Sequence, residues 1–207
     1  PKGRGHKVTV RDGLGLDADA VEAIYQHLEE AGVGRVIARP FRGAPGQFTR
    51  TKNRRDYALS PVGETLLDRL KSAGHPVVAI GKIDDLFAGR GMTDARHTAS
   101  DAEGMDVLEE YMRSVDRGLL FANLVDFDTQ FGHRNDVEGY ARNLERFDLR
   151  LAGFLSQLAP TDLLVITADH GNDPTTPSTD HSREFVPLLA TGAGVRAHAA
   201  LGTRATF

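Results

Sequence analysis

The chain is expected to fold as an α/β protein, a mainly parallel sheet flanked by helices, and three observations carry that expectation. Short apolar runs bounded by turn residues recur at 33–39, 77–80, 119–125, 163–168 and 185–190. Helical patterns lie between most of them, clearest at 137–158, where Tyr140, Leu144, Phe147, Leu151 and Phe154 or Leu155 share a face. Two of the runs end in Asp and His, at the carboxyl end of a strand, where α/β sheets bind ligands. Continuous apolar strands alternating with helices favour a sheet covered on both faces.

Taken in order, residues 1–17 are Gly-rich and charged and read as irregular. Asp17 and Asp19 offer a cap and an acidic first turn for a helix over 18–31, stopped by Gly32. A strand follows at 33–39, ended by Pro40. Residues 42–60 are polar and read as a long loop carrying Arg42, Arg50, Lys52, Arg54 and Arg55, a charge run best explained as a solvated surface. A helix is expected over 61–73, a strand over 75–81 around the apolar run 77–80, and a helix capped by Ser100 running to Val115. The strand at 119–125, the helix at 137–158 and the strands at 163–168 and 185–190 complete the series. The composition shift near 57–61 is the expected domain boundary, giving domains 1–58 and 59–207.

A length of 207 residues allows one large or two small domains, and 40% hydrophobic with 26% charged residues is ordinary for a soluble globular chain. Net charge of −4, with no interleaving of basic and aromatic residues, argues against nucleic-acid binding. The absence of cysteine excludes disulfides, thiolate metal sites and cysteine nucleophiles. No apolar run approaches the roughly 20 residues that span a bilayer. Residues 1–7 lack an apolar segment after their charges, so they do not read as a signal peptide, and the cytoplasm is the expected compartment.

The chemistry is concentrated in Thr167-Ala168-Asp169-His170-Gly171-Asn172-Asp173, in Thr179-Asp180-His181, and in Asp126-Phe127-Asp128-Thr129-Gln130-Phe131-Gly132-His133. Two strand ends each deliver Asp and His, and a loop can return His181. Carboxylate oxygen with imidazole nitrogen suits a borderline divalent ion such as Mn2+ or Zn2+. Five candidate ligands, Asp128, His133, Asp169, His170 and His181, exceed what one open catalytic site takes from protein. They fit a two-metal site with ions roughly 3.5–4 Å apart, an arrangement that clamps the oxygens of a phosphoryl group. Asp126, two residues from Asp128, shares its face if the strand persists and is a candidate acceptor for a ligand histidine. His75 and His97 read as surface histidines.

These strings resemble the phosphopentomutases of the alkaline phosphatase superfamily. The resemblance rests on Val33-Gly34-Arg35-Val36-Ile37-Ala38-Arg39-Pro40-Phe41, Phe48-Thr49-Arg50-Thr51, Asn53-Arg54-Arg55-Asp56-Tyr57, Ile80-Gly81-Lys82-Ile83, Asn123-Leu124-Val125-Asp126-Phe127-Asp128, Gly132-His133-Arg134, the Asp169–Pro174 run and Thr179-Asp180-His181-Ser182-Arg183-Glu184. It covers 33–207 nearly continuously. The Asp-His-Gly run marks only the superfamily; the strings at 35–41 and 125–128 are specific to the mutases. The resemblance implies an alkaline phosphatase-like catalytic core with part of an inserted α/β cap domain. It implies an isomerase of nucleotide salvage that interconverts ribose or deoxyribose 1-phosphate with the 5-phosphate, through a phosphothreonine, two Mn2+ ions and a sugar bisphosphate activator. By motif, Asp128, His133 and His181 would hold one metal, and Asp169 and His170 part of the second. Arg35, from a mobile cap, and Lys82, from the core, would meet the substrate phosphate or sugar, Arg as a bidentate fork and Lys as a point charge.

The family's nucleophilic threonine and first aspartate ligand lie in a segment that nothing here matches, and neither Thr129 nor Thr167 occupies that position. The chain therefore reads as truncated at both ends, and the isolated segment is expected to be inactive. Three alternatives stand beside the mutase. Two are enzymes, another metal-dependent phosphatase or a cofactor-independent phosphoglycerate mutase. The third is a non-catalytic module that binds metal or sugar phosphate.

Overall fold

The computed structural model describes residues 35–38, 41–44, 46–50, 55–58 and 60–204. The helix expected at 18–31 lies outside them. The described residues fall into two compact units, one ending at Asn123 and one running from Leu124.

In the first unit, β1 (Arg35–Ala38) pairs antiparallel with β4 (Arg55–Ala58), and β2 (Phe41–Arg42) with β3 (Thr49–Arg50). The segment 42–60 is thus not the long loop its polar composition suggests. Short strands pair through backbone groups and need no apolar run, so the pattern hid them.

The core of this unit is a three-stranded parallel sheet, with β5 (Val77–Ile80) between β6 (Asp94–Arg96) and β7 (Leu119–Ala122). All four residues of β5 are buried. Alternate side chains leave on opposite faces, and two clusters result. Val77 and Ala79 pack with Leu67, Ile83 and Met92; Val78 and Ile80 pack with Val107. The first cluster is supplied by α1 (Leu66–Ser72) and α2 (Ile83–Leu86), the second by α3 (Asp101–Ser114). Helices thus cover both faces of a parallel sheet, the α/β class predicted. Helix α1 starts at Leu66 and not near Pro61. A capping box fixes that start: Thr65 Oγ1 accepts from the Asp68 amide at 3.2 Å, and the Asp68 carboxylate accepts from the Thr65 amide at 2.7 Å. Ser100 caps α3 as predicted, accepting from the Glu103 amide at 3.2 Å.

The expected strand 119–125 ends at Ala122. The chain then turns through a wide helical turn, Phe127–Phe131, and a 3-10 turn, Gly132–Arg134. Asp126 and Asp128 therefore do not share a strand face. Helix α4 (Val137–Gln157) follows, capped by Asp136, whose carboxylate accepts from the Gly139 amide at 2.9 Å. Its inner stripe passes through the buried Asn143 and Phe154 and the half-buried Tyr140, Phe147 and Leu151, and leaves Leu144 and Leu155 exposed. Strand β8 (Leu163–Thr167) pairs antiparallel with β9 (Leu188–Gly192), Thr167 facing Leu188. The last strand begins three residues later than the apolar run because Pro187 has no amide hydrogen to give a ladder.

Candidate metal centre

Asp169 and His170 follow β8 after one residue, Ala168. Gly171 then makes the decisive local move, pairing with Ser182 across an isolated bridge in which the Ser182 amide donates to the Gly171 carbonyl at 3.1 Å. A Cβ at Gly171 would lie 2.7 Å from the Ser182 carbonyl oxygen and 2.8 Å from the Glu184 amide nitrogen. Only a residue without a side chain permits this approach. It brings the neighbour of Ser182, His181, over His170, with ring centroids 3.7 Å apart and planes 18° from parallel.

The loop between them is fastened internally. Asp173 Oδ1 accepts from the Thr175 amide at 2.8 Å and the Thr175 hydroxyl at 2.7 Å, and Ser182 Oγ accepts from the Asp173 amide at 2.7 Å. The Thr175 donors hold the Asp173 carboxyl below the usual aspartate value. Asn135, in the left-handed conformation that closes the 3-10 turn, donates its side-chain amide to the Thr176 and Ser178 carbonyls. The segment carrying Asp128 and His133 is thereby tied to the segment carrying His181.

Asp128 is the hub. Its Oδ1 lies 3.3 Å from Nε2 of His133, 3.3 Å from Nε2 of His181 and 2.6 Å from the Asn172 side-chain nitrogen. One ligand atom from each of Asp128, His170 and His181 lies within 4.8 Å of the others. Two atoms each about 2.1 Å from a tetrahedral ion are roughly 3.4 Å apart, close to the 3.3 Å found between carboxylate and imidazole here. The tautomers agree with this. His133 Nδ1 faces the Thr179 carbonyl at 2.5 Å, and His170 Nδ1 faces the Gly171 carbonyl at 3.2 Å. A carbonyl only accepts, so each Nδ1 donates, and in the neutral ring Nε2 is the nitrogen left with a lone pair for a cation. The donor set, one carboxylate and imidazoles, fits Mn2+ or Zn2+.

Of the five predicted ligands, four converge. Asp169 is 61% exposed, its carboxylate 3.6 Å from His170 Nε2. His170 approaches both Asp169 and the Asp128–His181 group. Thr129 donates its hydroxyl to the Val125 carbonyl at 3.0 Å. In the other unit, Arg35 opens β1, and Lys82, half-buried, stands at the N-cap position of α2, two residues after the end of β5. Sequence reasoning missed Asn172; an amide two residues after a candidate ligand, His170, was the available signal. It also missed a cleft of about 250 Å3 beside the cluster, lined by Tyr140, His170, Asn172, Asp173 and Glu184 among others. Burial, then the charges of Asp173 and Asp128, push the Tyr140 phenol above its ordinary value.

The metalloenzyme superfamily model matches residues 11–207. The chain belongs to the metalloenzyme superfamily. Among members of that superfamily's chemistry, it is similar to phosphopentomutases. It is 56% identical over 175 residues to the phosphopentomutase of Caldanaerobacter subterraneus subsp. tengcongensis, covering 84% of this chain and 44% of the relative. It is 53% identical over 178 residues to that of Clostridium novyi, covering 86% and 46%. It is 57% identical over 175 residues to that of an Anaeromyxobacter species, covering 84% and 45%. The chain thus spans a little under half the length of these curated relatives. No described helix is long and apolar enough to cross a membrane.

Proposed function

We propose that the protein is a cytoplasmic phosphopentomutase of nucleotide salvage, an isomerase interconverting (deoxy)ribose 1-phosphate and 5-phosphate. The observation that carries this reading is identity above half to phosphopentomutases over 175 residues or more, in a chain whose Asp128, His170 and His181 approach a common point. Residues 1–58 belong to a cap domain and 59–207 to the catalytic core. The ligands are Asp128, His133, Asp169, His170 and His181, for two Mn2+ ions, with Zn2+ suited to the same donors. Bound there, the metal offsets charge on phosphoryl oxygens. The chain's own groups do the rest. Asp128 lowers the net charge of the site, the histidines present Nε2 lone pairs, and Arg35 and Lys82 bind the substrate phosphate or sugar. The phosphate passes through a phosphothreonine, and a sugar bisphosphate activates the enzyme. No threonine of these 207 residues is assigned that role.

The test is conversion of ribose 5-phosphate to ribose 1-phosphate, with Mn2+ and a sugar bisphosphate, by the protein at the length of its relatives. Turnover is expected with pentose phosphate and none with 3-phosphoglycerate; the reverse preference would sink the mutase reading in favour of a phosphoglycerate mutase. A polypeptide of these 207 residues alone is expected to show no turnover while still binding Mn2+.

A further inference from the structure

We propose that Asn172 is a positioning residue for the cation site, seated by Gly132 and acting through the Asp128 carboxylate. The inference rests on the reading that Asp128, His170 and His181 hold a divalent cation.

Asn172 Nδ2 lies 2.6 Å from Asp128 Oδ1, between residues 44 positions apart. An ionised carboxylate only accepts, so the amide must present its nitrogen, and its orientation is fixed by chemistry. The same Oδ1 faces Nε2 of His133 and of His181 at 3.3 Å. A carboxylate oxygen has two lone pairs. The amide takes one and leaves the other for a cation, in the rotamer that faces the imidazoles.

Gly132 explains how the amide reaches this place. Its backbone is helical, φ −60° and ψ −61°, a conformation any residue adopts. Glycine is required there for space. A Cβ at this buried position would overlap the side-chain amide of Asn172. The adjacent turn thus leaves a socket, and the Asn172 amide fills it. Without the amide the Asp128 carboxylate is free to turn, and a cation must order it on binding. Loss of such an orienting partner typically costs about 10–100-fold in metal affinity.

The experiment is calorimetric titration of the full chain with Mn2+, alongside Asn172→Leu, Asn172→Ala, Gly132→Ala, the Gly132→Ala/Asn172→Ala double variant and Asp128→Ala. Melting curves in chelator monitor the fold. Leu keeps the volume of Asn and removes its donor, so it separates the hydrogen bond from packing. Asn172→Leu and Asn172→Ala should each bind Mn2+ about 10–100-fold more weakly, with chelated melting curves near the parent's. Gly132→Ala should weaken binding comparably by displacing the amide. The double variant should be no weaker than Asn172→Ala, because alanine at 172 vacates the socket. Parent-like affinity in both Asn172 variants, with binding lost in Asp128→Ala, overturns the positioning role and leaves the site standing. Parent-like affinity in Asp128→Ala overturns the site and the positioning role together.

Discussion

A single carboxylate oxygen, Asp128 Oδ1, is the point where three side chains meet, two imidazoles and one amide. The candidate ligands stood out in the sequence by type, because Asp and His gather at two strand ends and in the loop that follows. Asn172 and Gly132 were not, because their roles depend on contacts 44 and 40 positions apart that no local pattern encodes. The same holds for Asp173, which read only as the tail of a motif and proves to fasten the loop through Thr175. Its carboxyl titrates below the ordinary 3.8 because the Thr175 hydroxyl, then the Thr175 amide, stabilise the charged form. A depressed carboxyl binds fewer protons in the folded than in the unfolded chain. Its contribution is therefore complete above the unfolded value, and it is lost as pH falls through the lower folded value. Replacing Thr175 by Val removes the larger donor, so the Asp173 titration should move up toward 3.8. Carbon-detected NMR of the side-chain carboxyl measures this directly. An unmoved midpoint would show that the hydroxyl does not hold the charge.

At the scale of elements, legibility tracked how much of a segment's structure its own residues determine. Strand β5 was legible because Val77–Ile80 is apolar on both faces and buried on both; the expected bounds of 75–81 were wider, since His75, Pro76 and Gly81 flank the paired residues. Helix α3 announced its start through Ser100, and α4 was legible from its periodicity. The wide turn at Phe127–Phe131 was read as the approach from a strand end, since nothing in Phe-Asp-Thr-Gln-Phe distinguishes one helical turn from another. Wide turns of this kind concentrate at functional sites, and this one carries Asp128. The element that holds it in place is α4, whose first turn is fixed by Asp136. The Asp136 carboxylate accepts from the Gly139 amide, and Gly139 is buried so closely against it and the Phe131 ring that a Cβ would overlap both. Asp136→Ala removes the cap and should cost about 1 kcal/mol in urea denaturation, while Asp136→Asn should lose only a few tenths, roughly, because it keeps the acceptor. Equal losses in the two variants would mean that the cap's charge, and not its hydrogen bond, sets the helix start.

At the scale of the molecule, the two compact units divide the chemistry unevenly. The first carries the parallel sheet and its two apolar clusters, with Arg35 and Lys82. The second carries all five predicted ligands between Asp128 and His181. A cation bound there stabilises only those states in which its ligands are assembled. At a free concentration one hundred times its dissociation constant, that linkage amounts to about 2.7 kcal/mol. It acts on every opening that separates Asp128 from His170 or His181 and on no opening confined to the first unit. Mn2+ should therefore slow amide hydrogen exchange in the turn at 127–134 and the loop at 169–184 by up to about 100-fold, while amides of β5 keep the rates they have in chelator. Exchange mass spectrometry with and without Mn2+ resolves the two. Slowing of β5 by the same factor would mean that its amides exchange only when the second unit has opened as well, so that the fold answers the metal as one cooperative body.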